Sequence, residues 1–213
     1  MVLDKNSIRS SEDAFVDRLF DAAPTWGAPI LLAQVPRAYV DLNRAADELD
    51  PAMIEGIRRN VHNPRVSSGL GVIPRVVAGG RAIRRGKITL DAAQDRLSSC
   101  WYPYHDRLQA LMDESISKFG EAILIDCHSM PREALLSGRT GETPPEIVLG
   151  DRFGASASSR IVDQVAAAFE AEGFRVARNS PFAGAYSTVA YGRPARRQHA
   201  IQVEIDRSLY MDE

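Results

Sequence analysis

Leu124-Ile125-Asp126-Cys127-His128-Ser129-Met130 is an apolar run that stops abruptly at an acid, a thiol and an imidazole. Such a run reads as a buried strand delivering His128 to the end of a sheet, where open α/β folds place their ligands. Upstream, Ser10-Ser11-Glu12-Asp13 has the look of a helix start, after which Phe15, Val16, Leu19 and Phe20 fall on one face until Pro24. Residues 29–35 read as a strand, and Tyr39-Val40-Asp41-Leu42-Asn43-Arg44 as a second, short strand running into a polar turn. The glycines, prolines and arginines from His62 to Gly86 predict a long loop.

Between Leu90 and Phe119, the apolar residues Leu97, Trp101, Tyr104, Leu108, Leu111, Met112 and Ile116 recur at spacings of three and four. That is an amphipathic helix, bent or broken near Pro103 and closed by Gly120. Downstream of the opening strand come Ile147-Val148-Leu149, a second short apolar run, and a helix over Ser158 to Glu172. Gly173-Phe174-Arg175-Val176-Ala177 returns as a strand. Ala200 to Asp206 alternates apolar with polar, so Gln202, Glu204 and Asp206 share one face. There is no internal repeat. Strands alternating with helices predict an α/β protein, a three-layer α/β/α sandwich.

With 213 residues, 45% hydrophobic and 25% charged, the chain can bury one substantial core, and residues 1–213 are expected to form a single domain. A net charge of -2 supplies no general attraction to nucleic acid or to an anionic membrane surface. No stretch approaches the ~20 apolar residues of a membrane helix, and the first residues lack a signal-peptide core, so a cytoplasmic location is expected. Lysine is confined to Lys5, Lys87 and Lys118. The arginine bias suits small anionic ligands through a planar fork, although a GC-rich coding sequence is the commoner cause of such a bias. Cys100 and Cys127 show no CxxC spacing and are expected to be reduced, buried thiols.

Four positions stand out chemically. His128, beside Asp126 and Ser129, is either a hydrogen-bonded structural group or part of a site. Glu204 has core-directed neighbours in Val203 and Ile205, so its carboxylate faces the opposite way; it belongs to a solvated face or serves as a general base. Asn43 and Arg44 pair an amide with a guanidinium that together can grip a carboxylate, or else are ordinary surface residues. His62, His105 and His199 lack metal spacing, and His105 is expected to be solvated on the long helix.

Taken together, several motifs resemble the N-formylglutamate amidohydrolases. They are Asp41-Leu42-Asn43-Arg44, Leu124 to Met130, Leu149-Gly150-Asp151-Arg152-Phe153-Gly154, Asn179-Ser180-Pro181-Phe182-Ala183-Gly184-Ala185-Tyr186, and Tyr191-Gly192-Arg193-Pro194 with Gln202-Val203-Glu204-Ile205. The resemblance implies a mixed sheet between helices, similar to the zinc carboxypeptidases and aspartoacylases. It also implies hydrolysis of an N-formyl or N-acyl amino acid, the small acidic substrate N-formyl-L-glutamate of histidine breakdown being the type case. On that resemblance His128 is a zinc ligand, Glu204 activates the zinc-bound water, and Asn43 with Arg44 holds a substrate carboxylate. Arg193 and Arg75 are candidates for the second carboxylate, and Asp13 for a further metal ligand.

Relatives open with a strand ending in a Pro-His-Ser/Ala-Gly motif whose histidine binds zinc, and no histidine precedes His62 here. A catalytic zinc normally takes three protein ligands and a water, so one zinc held by His128 and Asp13 alone would be bound weakly. The expectation is a chain shortened at the first strand and at the C-terminal tail. The alternatives are a natural derivative that binds small acidic metabolites without metal, and an acyl-amino-acid hydrolase of different specificity. Oligomeric state is not legible in these patterns.

Overall fold

A computed structural model describes residues 3–57, 63–136 and 143–212. The chain divides into two compact units, Met1–Ala14 with Asp21–Leu108, and Phe15–Phe20 with Gln109–Glu213. His62 lies outside the described residues.

The second unit is built on a four-stranded mixed sheet in the order β1-β4-β2-β3. Its strands are β1 (Ala122–Met130), β2 (Ile147–Gly150), β3 (Val176–Arg178) and β4 (Gln198–Asp206). β1 runs parallel to β4, β2 antiparallel to β4 and parallel to β3. Ile147, Leu149, Ile201, Val203 and Ile205 project to one face and pack with Ile161, Val162 and Ala166 of a helix at Ser159–Ala171. All eight are buried, each contributing about 1–3 kcal/mol of apolar transfer free energy. Alternation then commits Gln202, Glu204 and Asp206 to the other face. This is the expected α/β architecture with its mixed sheet, and the two best-patterned segments form its two longest strands.

The first unit has far less regular structure. Its helices are short: Lys5–Arg9, Pro64–Ser67 and Leu90–Arg96. Buried Val40, Met53, Ile54, Val72, Ile73, Val77, Ile83 and Ile88 supply its core. Two expected strands are corrected here. Among the described residues, 29–35 and 39–44 have no ladder partner and are irregular. Pro36 removes a backbone donor between them, its carbonyl accepts from Tyr39 N–H to make a turn, and Leu32 is 45% exposed, so no buried face stabilises an extended segment. The helix expected after Asp13 shrinks to one turn, Val16–Leu19, because Phe15 adopts a left-handed conformation and no side chain caps it.

The long helix is interrupted as the proline suggested. Leu90–Arg96 passes into a π-helical turn at Leu97–Trp101 and then into the helix Tyr102–Phe119, which Gly120 closes at φ 70°. Pro103 cannot donate a backbone bond one turn back, and Ser99 Oγ donates to Asp95 O at 2.6 Å, so both loosen the regular ladder here. Both cysteines are free thiols, and both are half-buried where burial was expected. Among the described residues no helix is long and apolar enough to cross a membrane.

Candidate active site

The polar face of the second unit is fixed by strand register. Asp126 pairs with Gln202 and His128 with Glu204 across the parallel β1/β4 ladder, so all four side chains leave the same face. His128 sits two residues before the end of β1, which runs on to Met130, not at its terminus as expected. Its Nε2 lies 3.1 Å from Asp126 Oδ2. Glu204 is 8% exposed, which overturns its reading as part of a solvated face. A carboxylate this buried requires polar partners, and Gln202 Nε2 donates to Glu204 Oε1 at 2.7 Å. The amide is itself oriented, since Ala185 N–H donates to Gln202 Oε1 at 2.9 Å.

Two further groups stand where β1 and β4 end. Arg207 Nε donates to Ser129 Oγ at 3.1 Å, and Arg132 is ion-paired with the fully buried Asp206. Neither arginine was singled out in the sequence. Their signal was position, a cation one or two residues past the end of a strand.

Gly150 faces the same side, opposite Gln202. A β-carbon there would come within 2.7 Å of Ala183 C and Gly184 N, so only glycine lets the 183–184 backbone cross this close to the strand. Beyond it the chain turns through Arg152 and Phe153, both left-handed at φ 53° and 55°. That costs about 1–2 kcal/mol per residue. A polar clamp opposes the cost: Asn179 Oδ1 accepts from Asp151 N–H at 3.1 Å and Phe153 N–H at 3.3 Å, and Asp151 Oδ2 accepts from Gly154 N–H at 3.1 Å. The loop is thereby held open with Phe153 81% exposed.

In the first unit, Asp41 organises the Asn43-Arg44 segment. Its Oδ1 accepts from Asn43 N–H at 3.0 Å, and its Oδ2 accepts from Arg37 Nε at 2.9 Å with Arg44 Nε at 3.8 Å. Arg44 is buried, donates from Nη1 to Asn43 O at 2.7 Å and from Nε to Leu70 O at 3.1 Å. Burial lowers its pKa below the usual guanidinium value, opposed by Asp41 and reinforced by Arg37 and Arg65; it remains a cation at neutral pH. The carbonyls of Leu42 and Arg44 are tied down by His105 Nε2 at 2.9 Å and Trp101 Nε1 at 2.9 Å. His105 is therefore a buried anchor stacked on Trp101, correcting its expected solvation. The signal was present, because His105 lies four residues after Trp101 and three before Leu108, on the apolar stripe.

The remaining candidates fall elsewhere. Asp13 pairs with Arg37 Nη1 at 3.6 Å. Arg75 donates from Nε to the buried Asp50 at 2.9 Å and from Nη2 to Ser67 O at 3.3 Å, which makes it part of the first unit's internal framework. Arg193 bridges to Gln198 at the start of β4, six residues and so roughly 20 Å along the strand from Glu204. His199, in β4, accepts from Ser158 N–H at 3.2 Å at the start of the helix Ser159–Ala171.

The zinc question can be put to the donors. Among the described residues no three His, Cys, Asp or Glu side chains converge, and His128 Nε2 is turned onto Asp126. A catalytic zinc takes three protein donors and an open position, so the described residues do not complete such a shell.

The family model for N-formylglutamate amidohydrolase matches residues 1–211. This chain belongs to that family. It is 31% identical over 208 residues to the N-formylglutamate deformylase of Pseudomonas aeruginosa, spanning 94% of this chain and 71% of that protein. The N-formylglutamate deformylase of Pseudomonas putida is 29% identical over 206 residues, again 94% and 71%. The crystal structure of N-formylglutamate amidohydrolase from Ralstonia eutropha JMP134 superposes with a TM-score of 0.92 at 34% identity, covering 99% of this chain and 77% of that one. Within the N-formylglutamate amidohydrolase family, then, this member carries the buried Gln202 and Glu204 and the half-buried His128 on one polar face of its sheet.

Proposed function

We propose that this chain hydrolyses the amide of N-formyl-L-glutamate, giving formate and L-glutamate. The observation that carries the reading is Glu204: a buried carboxylate, oriented by Gln202 and in register with His128 on a polar sheet face. Glu204 takes a proton from the attacking water as the new C–O bond forms at the formyl carbon. It returns that proton to the amide nitrogen as the C–N bond breaks. Asn43 and Arg44 are carboxylate-binding residues on the family resemblance alone, and within the first unit their loop is anchored by Trp101 and His105.

Zinc dependence, a three-layer arrangement like that of the zinc carboxypeptidases, and activity on other N-acyl amino acids belong to this proposal through the resemblance alone. His128 and Asp13 are the donors this chain would bring to zinc. Because the described donors fall short of a complete shell, no step is assigned to the ion.

Formate release from N-formyl-L-glutamate, measured for the wild type and for Glu204→Gln with and without added zinc, tests the reading. Turnover by the wild type and its collapse in the variant is the expected result. Equal turnover in both would remove Glu204 from the mechanism. Binding of L-glutamate without turnover, unchanged by chelator, would make the chain a metal-free binder instead.

A further inference from the structure

The loop at Gly150–Gly154 belongs to a family motif to which the reaction above gives no task. It is expensive to hold, with two successive non-glycine residues in the left-handed region, and it is clamped by Asp151 and Asn179. What it displays is Arg152. This side chain is half-buried, yet among the described residues its guanidinium makes no hydrogen bond or ion pair. The other arginines near this face are committed, Arg207 to Ser129 and Arg132 to Asp206.

The stem of Arg152 packs beside Gly184. A β-carbon on Gly184, itself at φ 117°, would lie 3.2 Å from Arg152 Cγ. The next residue, Ala185, donates to Gln202, and Gln202 donates to Glu204. Arg152 Cγ thus lies beside the 183–185 crossing, which is on the same side of the sheet as the proposed general base. An N-formyl amino acid bound with its amide at Glu204 has its α-carboxylate close to the reacting carbon and its side chain reaching outward. A planar guanidinium with unused donors, set back from the base, suits a second carboxylate at the far end of such a molecule.

We propose that Arg152 binds the side-chain carboxylate of the substrate and so sets the preference for an acidic amino acid. The proposal rests on the hydrolase reading given above. It assigns the second carboxylate to Arg152 in place of Arg75, which is paired with Asp50, and Arg193, which lies at the opposite end of β4.

The test compares the full chain with Arg152→Ala and Arg152→Lys on N-formyl-L-glutamate and N-formyl-L-glutamine, with calorimetric titration of L-glutamate and L-glutamine in parallel. Arg152→Ala is expected to raise KM for the glutamate substrate about 10- to 100-fold, with the effect in KM and not in kcat, and to change the glutamine substrate at most about twofold. Arg152→Lys should recover part of the loss. The calorimetric preference for L-glutamate over L-glutamine should fall by the same factor. An unchanged KM, or equal losses on the two substrates, overturns the proposal while leaving the hydrolase reading intact. If the wild type turns over neither substrate, that reading falls, and the titrations still decide: lost discrimination in Arg152→Ala supports the assignment. Discrimination retained by the variant, or absent from the wild type, overturns it.

Discussion

Gln202 Nε2 donates to Glu204 Oε1 at 2.7 Å, two residues along the same strand, so one amide holds the buried carboxylate in a single orientation. Replacing Gln202 with Leu removes that donor while leaving the carboxylate buried. A stability loss of about 1–3 kcal/mol is expected, measured by urea denaturation. Turnover of N-formyl-L-glutamate should fall as well, because the base is no longer aimed. Wild-type stability in Gln202→Leu would mean that the bond contributes nothing to the fold.

Glu204→Gln separates chemistry from folding. The substitution keeps volume and polarity but cannot accept the proton of water. A kcat loss of about 100-fold or more is expected for formate release, with far-UV circular dichroism and the urea midpoint close to wild type.

The opposite dissociation is expected at the apolar face. Leu149 is fully buried among Ile161, Val162, Ile201 and Val203. Leu149→Ala should cost about 2–5 kcal/mol in denaturant titrations. Since Leu149 points away from Glu204, KM for the native-state fraction should not move.

Arg44 tests carboxylate recognition in the first unit. Arg44→Lys retains the charge but loses the fork, whose Nε and Nη1 serve Leu70 O and Asn43 O. L-Glutamate affinity should fall about tenfold by calorimetry, and L-glutamine affinity equally, because the group bound there is the carboxylate both share. A loss confined to L-glutamate would instead assign Arg44 to the side chain.

If the zinc dependence carried by the resemblance holds, zinc titrated into the chelator-treated protein gives a heat that His128→Ala abolishes and Cys100→Ala does not. Identical isotherms for wild type and His128→Ala would remove it from the metal chemistry.

Legibility in the sequence followed where each element draws its stability. β1, β4 and the helix Ser159–Ala171 carry their periodicity within themselves and bury an apolar set against one another, so pattern alone located them. Residues 29–44 alternate plausibly, yet a strand requires a partner ladder, and these backbone groups go to local turns or, for Asp41, to Val72. Glu204 was legible as a residue and not as an environment: its burial depends on Gln202 and on the 183–185 crossing, made possible by Gly150 fifty-odd residues upstream. Likewise, Ser10 to Asp13 read as a helix start, and only the left-handed Phe15 reveals that the helix after it is a single turn, Val16–Leu19.

The π-helical turn at Leu97–Trp101 has a directional consequence. One extra residue in a helix advances every later side chain by about 100° around the axis. Trp101 and His105 meet the carbonyls of Arg44 and Leu42 only at that phase. Deleting one residue between Leu97 and Cys100 would leave a more regular helix that points both donors at the wrong neighbours. The irregular turn is thus a rotational setting, and the position of the Asn43-Arg44 loop is read from it.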